Sequence, residues 1–227
     1  MNTNKKIAVV VMALSVILAV FLYGTEYSSS ADPEQLADTL TEYIFGDDIK
    51  VQVVQTKRID NHMMVLFTDT RYDNFLGLAR LKRGLNLRWR PIAANYGNGI
   101  GGSRAFRFTI GQERYVAICA VNIDPRIKSY EYVTTDANEV VLHSNTVSEP
   151  SFMDIYELEP GYWPRLRLTD SSGSDLAPEL WALRDKTVPS AGVGTAEQFM
   201  INVFCLLVLF IGFIIARYYW TLSPQRK

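Results

Sequence analysis

IAVVVMALSVILAVFLY at residues 7–23 and FMINVFCLLVLFIGFIIA at residues 199–216 contain no Asp, Glu, Lys or Arg, and the reading of these two runs decides that of everything between them. An α-helix rises about 1.5 Å per residue and a bilayer's hydrocarbon core is roughly 30 Å thick, so each run is just long enough to cross. Two transmembrane helices are therefore expected, with residues 1–6 and 217–227 as short outer tips and residues 24–198 as one polar segment.

Cytoplasmic flanks of a span carry Lys and Arg, and translocated flanks do not. Lys5 and Lys6 precede the first run, and Arg217, Arg226 and Lys227 follow the second, whereas Glu26, Asp32, Glu34 and Glu197 lie on the inner sides. Both termini are expected in the cytoplasm of a cell membrane, with the middle extracytoplasmic. Tyr218, Tyr219 and Trp220 read as an aromatic belt on one side of the bilayer, and Tyr23 and Tyr27 as one on the other. A cleaved signal peptide is the competing reading of the first run, with Ser29, Ser30 and Ala31 as a poor cutting site.

All 24 acidic residues lie between the runs, but only 18 of the 23 basic ones do, leaving that segment a net charge of about −6. Such a segment has no excess positive charge with which to hold a nucleic-acid backbone. Cys205 lies in the second run and Cys119 in a strand-like stretch, so no disulfide staples the fold and stability rests on a packed core.

Asp32 before Pro33 starts a helix, with a capping oxygen followed by a preset φ, and Leu36, Leu40, Tyr43 and Ile44 recur at helical spacing until Gly46 and Asp47. Short β-rich, turn-bounded runs at 50–57, 63–68, 75–82 and 85–90 read as strands, giving a helix laid across an antiparallel sheet over residues 24–96. A glycine-rich loop at 97–103 reads as a flexible boundary. Runs at 104–110, 113–122, 127–134, 139–143, 151–158 and 163–169 suggest a small sandwich within residues 104–187, followed by a short helix near Leu180. Residues 188–198 read as a linker. The fold class is α+β.

A helix with a meander, then a β-rich half closing on the turn Leu168, Thr169, Asp170, Ser171, Ser172 and Gly173, resembles uncharacterised membrane-anchored extracytoplasmic proteins of Gram-positive bacteria. The likeness spans most of the middle segment, rests on pattern, and implies no activity.

Gly97, Gly99 and Gly102 have dinucleotide-fingerprint spacing, but that chemistry needs a helix N-terminus after the glycines, and Phe106, Arg107 and Phe108 read as strand. No cofactor is expected. Cys119 sits among Val116, Ile118 and Val121, where a thiol is buried and inert. His62 and His143, the two histidines, are far apart and lack metal-ligand spacing. Asp154 shares a strand face with Phe152, Tyr156 and Leu158, so if that face is buried it needs a partner. The hairpin around Gly84 turns Leu81, Leu87 and Trp89 inward by alternation. Arg80, Lys82, Arg88 and Arg90 then share the other face with Arg83 at the tip, a cationic patch suited to anionic lipid, a wall polymer or an acidic partner.

Inside the runs, Ser15 and Ala19 form a small-residue pair that permits close helix approach, and no charge marks an ion path. The expected function is a binding, sensory or interaction module of a bacterial envelope with a membrane or envelope protein partner, and not an enzyme. A structural subunit of a larger membrane complex is the alternative, then an envelope hydrolase working near Asp154 or Cys119.

Overall fold

The computed structural model describes residues 3–44, 49–135, 139–159, 164–194 and 198–222. In chain order these form α1 (Thr3–Glu26), α2 (Pro33–Tyr43), β1 (Gln52–Ile59), β2 (His62–Thr68), β3 (Phe75–Arg83), β4 (Trp89–Asn98), β5 (Ser103–Ile110), β6 (Glu113–Ala120), β7 (Ser129–Val133), β8 (Val141–Thr146), β9 (Phe152–Glu157), β10 (Arg165–Thr169), α3 (Ala177–Ala182), β11 (Ala191–Gly194) and α4 (Gln198–Thr221).

At 24 residues each, α1 and α4 are about 36 Å long and sufficient to span. They pack antiparallel, since Asn4 meets Leu222, Ser15 meets Gly212 and Ala19 meets Cys205 in descending order. A Cβ on Gly212 would lie 2.0 Å from Ser15 Oγ, so glycine is what lets the backbones approach here. Ala8, Ala19 and Ala216 are buried along the seam, while Val20, Phe21 and Leu206 point away from it, exposed, as a lipid bilayer requires.

The Asp32 carboxylate accepts from Gln35 N at 3.2 Å to cap α2, and Gln35 Oε1 accepts in return from Ser30 N at 2.9 Å. Leu36, Leu40 and Ile44 are then buried on the sheet below. The expected stop at Gly46 and Asp47 lies outside the described residues.

That sheet has the antiparallel order β1-β2-β3-β4-β11 and is covered on both faces. Met63, Val65, Phe67, Phe75, Ala79 and Leu81 face α2. Met64, Leu66, Leu76 and Leu78 face the sheet β5-β6-β9, meeting Phe106, Ala117, Cys119 and Met153. The opposite face of that second sheet packs Val116, Ile118 and Ala120 against Tyr130, Tyr132 and Leu168 of the third sheet, β10-β7-β8. The layers run helix, sheet, sheet, sheet, and Lys57 Nζ on β1 donates to Met153 O on β9 at 3.0 Å between the first two sheets. This is the expected α+β architecture, apolar helices flanking antiparallel sheets.

Three segments differ from the sequence reading. Residues 85–88 form a loop rather than a strand, and β4 starts at Trp89 and runs through Pro91, which a bulge between Arg80 and Leu81 accommodates. Residues 191–194, within the expected linker, form β11 along the edge of β4. The glycine loop is pinned and not slack. Gly99 N donates to Asn74 O at 2.7 Å and Val121 N to Gly102 O at 2.8 Å, and at Gly102, whose φ is +75°, a Cβ would lie 2.7 Å from Val121 O.

Beyond β2, buried Asp69 accepts from Lys50 N at 2.8 Å, from Arg71 N at 3.0 Å, and from the Arg71 guanidinium at 2.7 Å. Burial pushes its carboxyl up, but the Arg71 and Lys50 bonds outweigh it and hold the carboxyl below its ordinary value. A depressed carboxyl stabilises the fold above the unfolded-state value, about pH 4, and loses that contribution as pH falls through the folded value. Asp69→Asn is therefore expected to destabilise the protein at neutral pH and to flatten its acid limb. Unfolding midpoints at about pH 7 and about pH 3 check this; an unchanged difference between them would remove Asp69 from the acid response.

Candidate functional site

The residues expected to form one cationic patch are separated by the fold. Lys82 pairs with Arg90 and Arg83 with Trp89 across β3 and β4. Arg90 is buried, 6% exposed, with Nε 3.1 Å from Glu26 Oε2 at the end of α1 and Nη1 without a hydrogen-bond partner. Arg80 turns between the first two sheets, where it donates to Thr109 O, and burial lowers its guanidinium. Lys82 is half-buried, and Arg83 lies over the buried Trp89 ring with its carbon 6.0 Å from the centroid. Arg83 and Arg88 remain exposed at the tip. Alternation failed there because the strand had already ended: Leu87 has φ +62° and is 64% exposed, and Leu85 is 91% exposed.

This tip is docked on the C-terminal end of α1. Tyr23 and Tyr27 stack with centroids 4.6 Å apart. Tyr23 Oη accepts from Leu85 N at 3.0 Å, and Tyr27 O accepts from Asn86 Nδ2 at 2.8 Å. A Cβ at Gly84 would lie 2.6 Å from the Tyr27 ring, so the turn fits only without a side chain. Ser29 and Trp89 exchange backbone bonds of 3.2 and 2.8 Å. Helical side chains lean toward the helix N-terminus. The Tyr23 hydroxyl therefore lies on the apolar side of its own Cα, and Leu85 lies beside the last turns of α1.

Asp154 stands apart from this tip, facing the third sheet as alternation required. Its partner is not an arginine. Tyr130 Oη donates to Asp154 Oδ2 at 2.6 Å, Asn145 Nδ2 donates to it at 3.3 Å, and Tyr156 Oη, 2.8 Å from Tyr130 Oη, supplies the remaining donor. Burial, then the bonds to Asp154 and Tyr156, raise the Tyr130 phenol. The cluster joins the second and third sheets. Cys119 is fully buried, and burial raises its thiol. His143 stacks on Tyr156 at 4.3 Å, and among the described residues no group of His, Cys, Asp and Glu could hold a metal ion.

One site escaped the sequence reading, a cleft of about 540 Å³ where the start of β5, the end of β4, α3 and residues 184–190 meet. Arg104, Arg184 and Lys186 line it, with Trp181 half-exposed beside them. Arg104 Nη2 donates to Asn95 Oδ1 at 3.1 Å, its guanidinium sits 5.0 Å from the Phe106 centroid, and burial lowers it. These cations are scattered along the chain, and only the return of residues 184–194 to β4 gathers them. Comparison with protein-family models, curated proteins and solved structures found no match.

Proposed function

We propose that the chain is a membrane-anchored, extracytoplasmic binding and interaction module of a bacterial cell envelope, with both termini cytoplasmic and an envelope or membrane protein as partner. The observation that carries this reading is the joint between α1 and the β3–β4 tip, which fixes the sheet-rich unit against the end of a span. A soluble domain on a loose tether has no use for such a joint. Leu85 and Leu87 enter the head-group layer of the outer leaflet, and Arg83 and Arg88 meet lipid phosphates or an anionic wall polymer. Lys5, Lys6 and Arg217 hold the opposite ends inside.

Single cysteines at Thr3, Leu85 and Gln112, treated with a membrane-impermeant maleimide on intact cells, test both parts. Gln112→Cys is expected to label fully and Thr3→Cys not at all. Leu85→Cys is expected to label slowly despite its exposure, and rapidly once detergent is added. Labelling at Thr3 with protection at Gln112 would invert the topology. Equal rates at Leu85 and Gln112 would place the tip in water.

A further inference from the structure

We infer that the cleft between β5, α3 and residues 184–190 binds a small oxyanion that also carries a hydroxyl group, namely a hydroxylated carboxylate or a phosphate ester. This goes beyond the anchoring reading and does not depend on which side of the membrane the domain faces.

Arg104 is the centre of the argument. Arg71, Arg90, Arg126, Arg165 and Arg167 each contact a carboxylate. Arg104, half-buried, makes no ion pair among the described residues, in a segment that carries more acid than base. Its charge rests on one amide oxygen and one ring face, less than a partly desolvated guanidinium with five donors can use. On the facing wall Arg184 and Lys186 add two cations. The one carboxylate of the cleft, Asp185, turns Oδ1 to Thr187 N at 2.8 Å and to Thr187 Oγ1 at 2.7 Å, bonds that hold its carboxyl low. With three cations and one carboxylate the lining is net positive, and one oxygen of that acid is bonded within its own turn.

A second group shows the same deficit with the opposite sign. Asn98 donates its amide to Asp185 O, which fixes the side chain, and leaves Oδ1 buried without a donor. An anion without an O–H, such as a bare carboxylate or sulfate, does not satisfy this oxygen, but a hydroxyl on the same ligand does. Arg104 and Asn98 thus ask for an acceptor and a donor in one molecule. The volume falls within the range of small-molecule sites, roughly 300–1,000 Å³. The Trp181 ring stacks on the Arg184 guanidinium, 3.8 Å from its centroid, and so holds that cation in place at the cleft.

Titration calorimetry of the full chain in zwitterionic micelles tests this, with glucuronate, glucose 6-phosphate, sulfate and glucose as probes. Glucuronate, glucose 6-phosphate or both are expected to bind, and glucose is not. Arg104→Gln is expected to weaken that binding by about tenfold or more, the loss of a charge-assisted bidentate contact. Binding of one anion alone assigns the site to carboxylates or to phosphate esters. Sulfate, which has no hydroxyl, binding as tightly as the ester would overturn the role of Asn98. Failure of both organic anions to bind, or equal affinity in Arg104→Gln, would overturn the site. Should Arg104→Gln not fold, the Nε–Hε signal of Arg104 in the wild-type protein decides: it shifts on adding the binding anion if the inference is right and stays fixed if it is wrong.

Discussion

Replacing Phe67 by alanine is expected to lower the unfolding free energy of the sheet-rich unit by about 3–5 kcal/mol, a large part of a typical domain's 5–15 kcal/mol. Phe67 has no exposed surface and sits on the central sheet's α2 face, directly opposite Gly77 in the register of β2 and β3. Its ring lies over that glycine, where a Cβ would be 2.1 Å from Cζ. The pair is therefore one packing unit, with the space given up by Gly77 filled from the neighbouring strand. Gly77→Ala alone is expected to cost about 1–3 kcal/mol through forced displacement of the ring. In the Phe67→Ala background the same methyl enters vacated space, so the two changes are expected to be strongly non-additive. Urea unfolding of the full chain in micelles, followed by tryptophan fluorescence, measures all four corners of this cycle. A loss below about 1 kcal/mol for Phe67→Ala would contradict the central place given to the ring.

Glu26→Ala is expected to loosen the joint between α1 and the β3–β4 tip by about 2 kcal/mol, roughly thirtyfold in local opening. Removing one partner of a buried ion pair commonly costs 3–5 kcal/mol because the other charge is left uncompensated. Arg90 is buried and one of its nitrogens already lacks a partner, but Glu26 is 42% exposed, so water screens part of the interaction and the smaller figure applies. Hydrogen exchange at the amides of Leu85 and Trp89, which bond to Tyr23 and Ser29, reads this opening directly. Pairing Glu26→Ala with Arg90→Met is expected to restore much of the protection, since no charge then remains unmatched. Unchanged exchange in Glu26→Ala would show that the tyrosines alone hold the joint.

Most of the fold was legible wherever one local signal sufficed. Asp32 and Pro33 marked the start of α2, and the short apolar run Met63 to Phe67 between turn residues marked a strand, because cap geometry and turn chemistry act over a few residues. Leu85 and Leu87 imitated the alternation of a strand, yet the left-handed turn at Leu87 had ended it. The expected strand stopped at Arg90, yet β4 runs on through Pro91, whose tolerance depends on a bulge that only the partner strand reveals. The sequence AGVG of β11 has almost no strand propensity; the edge of β4 imposes its conformation. The site was less legible for the same reason. The strand face of Asp154 followed from a period of two, but its tyrosine partner lies on another sheet. Arg90's burial depends on where α1 ends, and the cleft joins Asn98, Arg104, Trp181 and Arg184, which no local pattern connects.

The late position of β11 also orders events at the ribosome. Ala93 to Tyr96 on β4 have their second neighbour only in Ala191–Gly194, and nearly the entire segment between α1 and α4 must be made before that neighbour exists. Until then an open sheet margin is available to other chains, which is a known route to misassembly. A polypeptide cut short between Thr169 and Ala191 keeps that margin permanently, so nascent-chain release in this region yields a species prone to association even though β1 to β10 are all present.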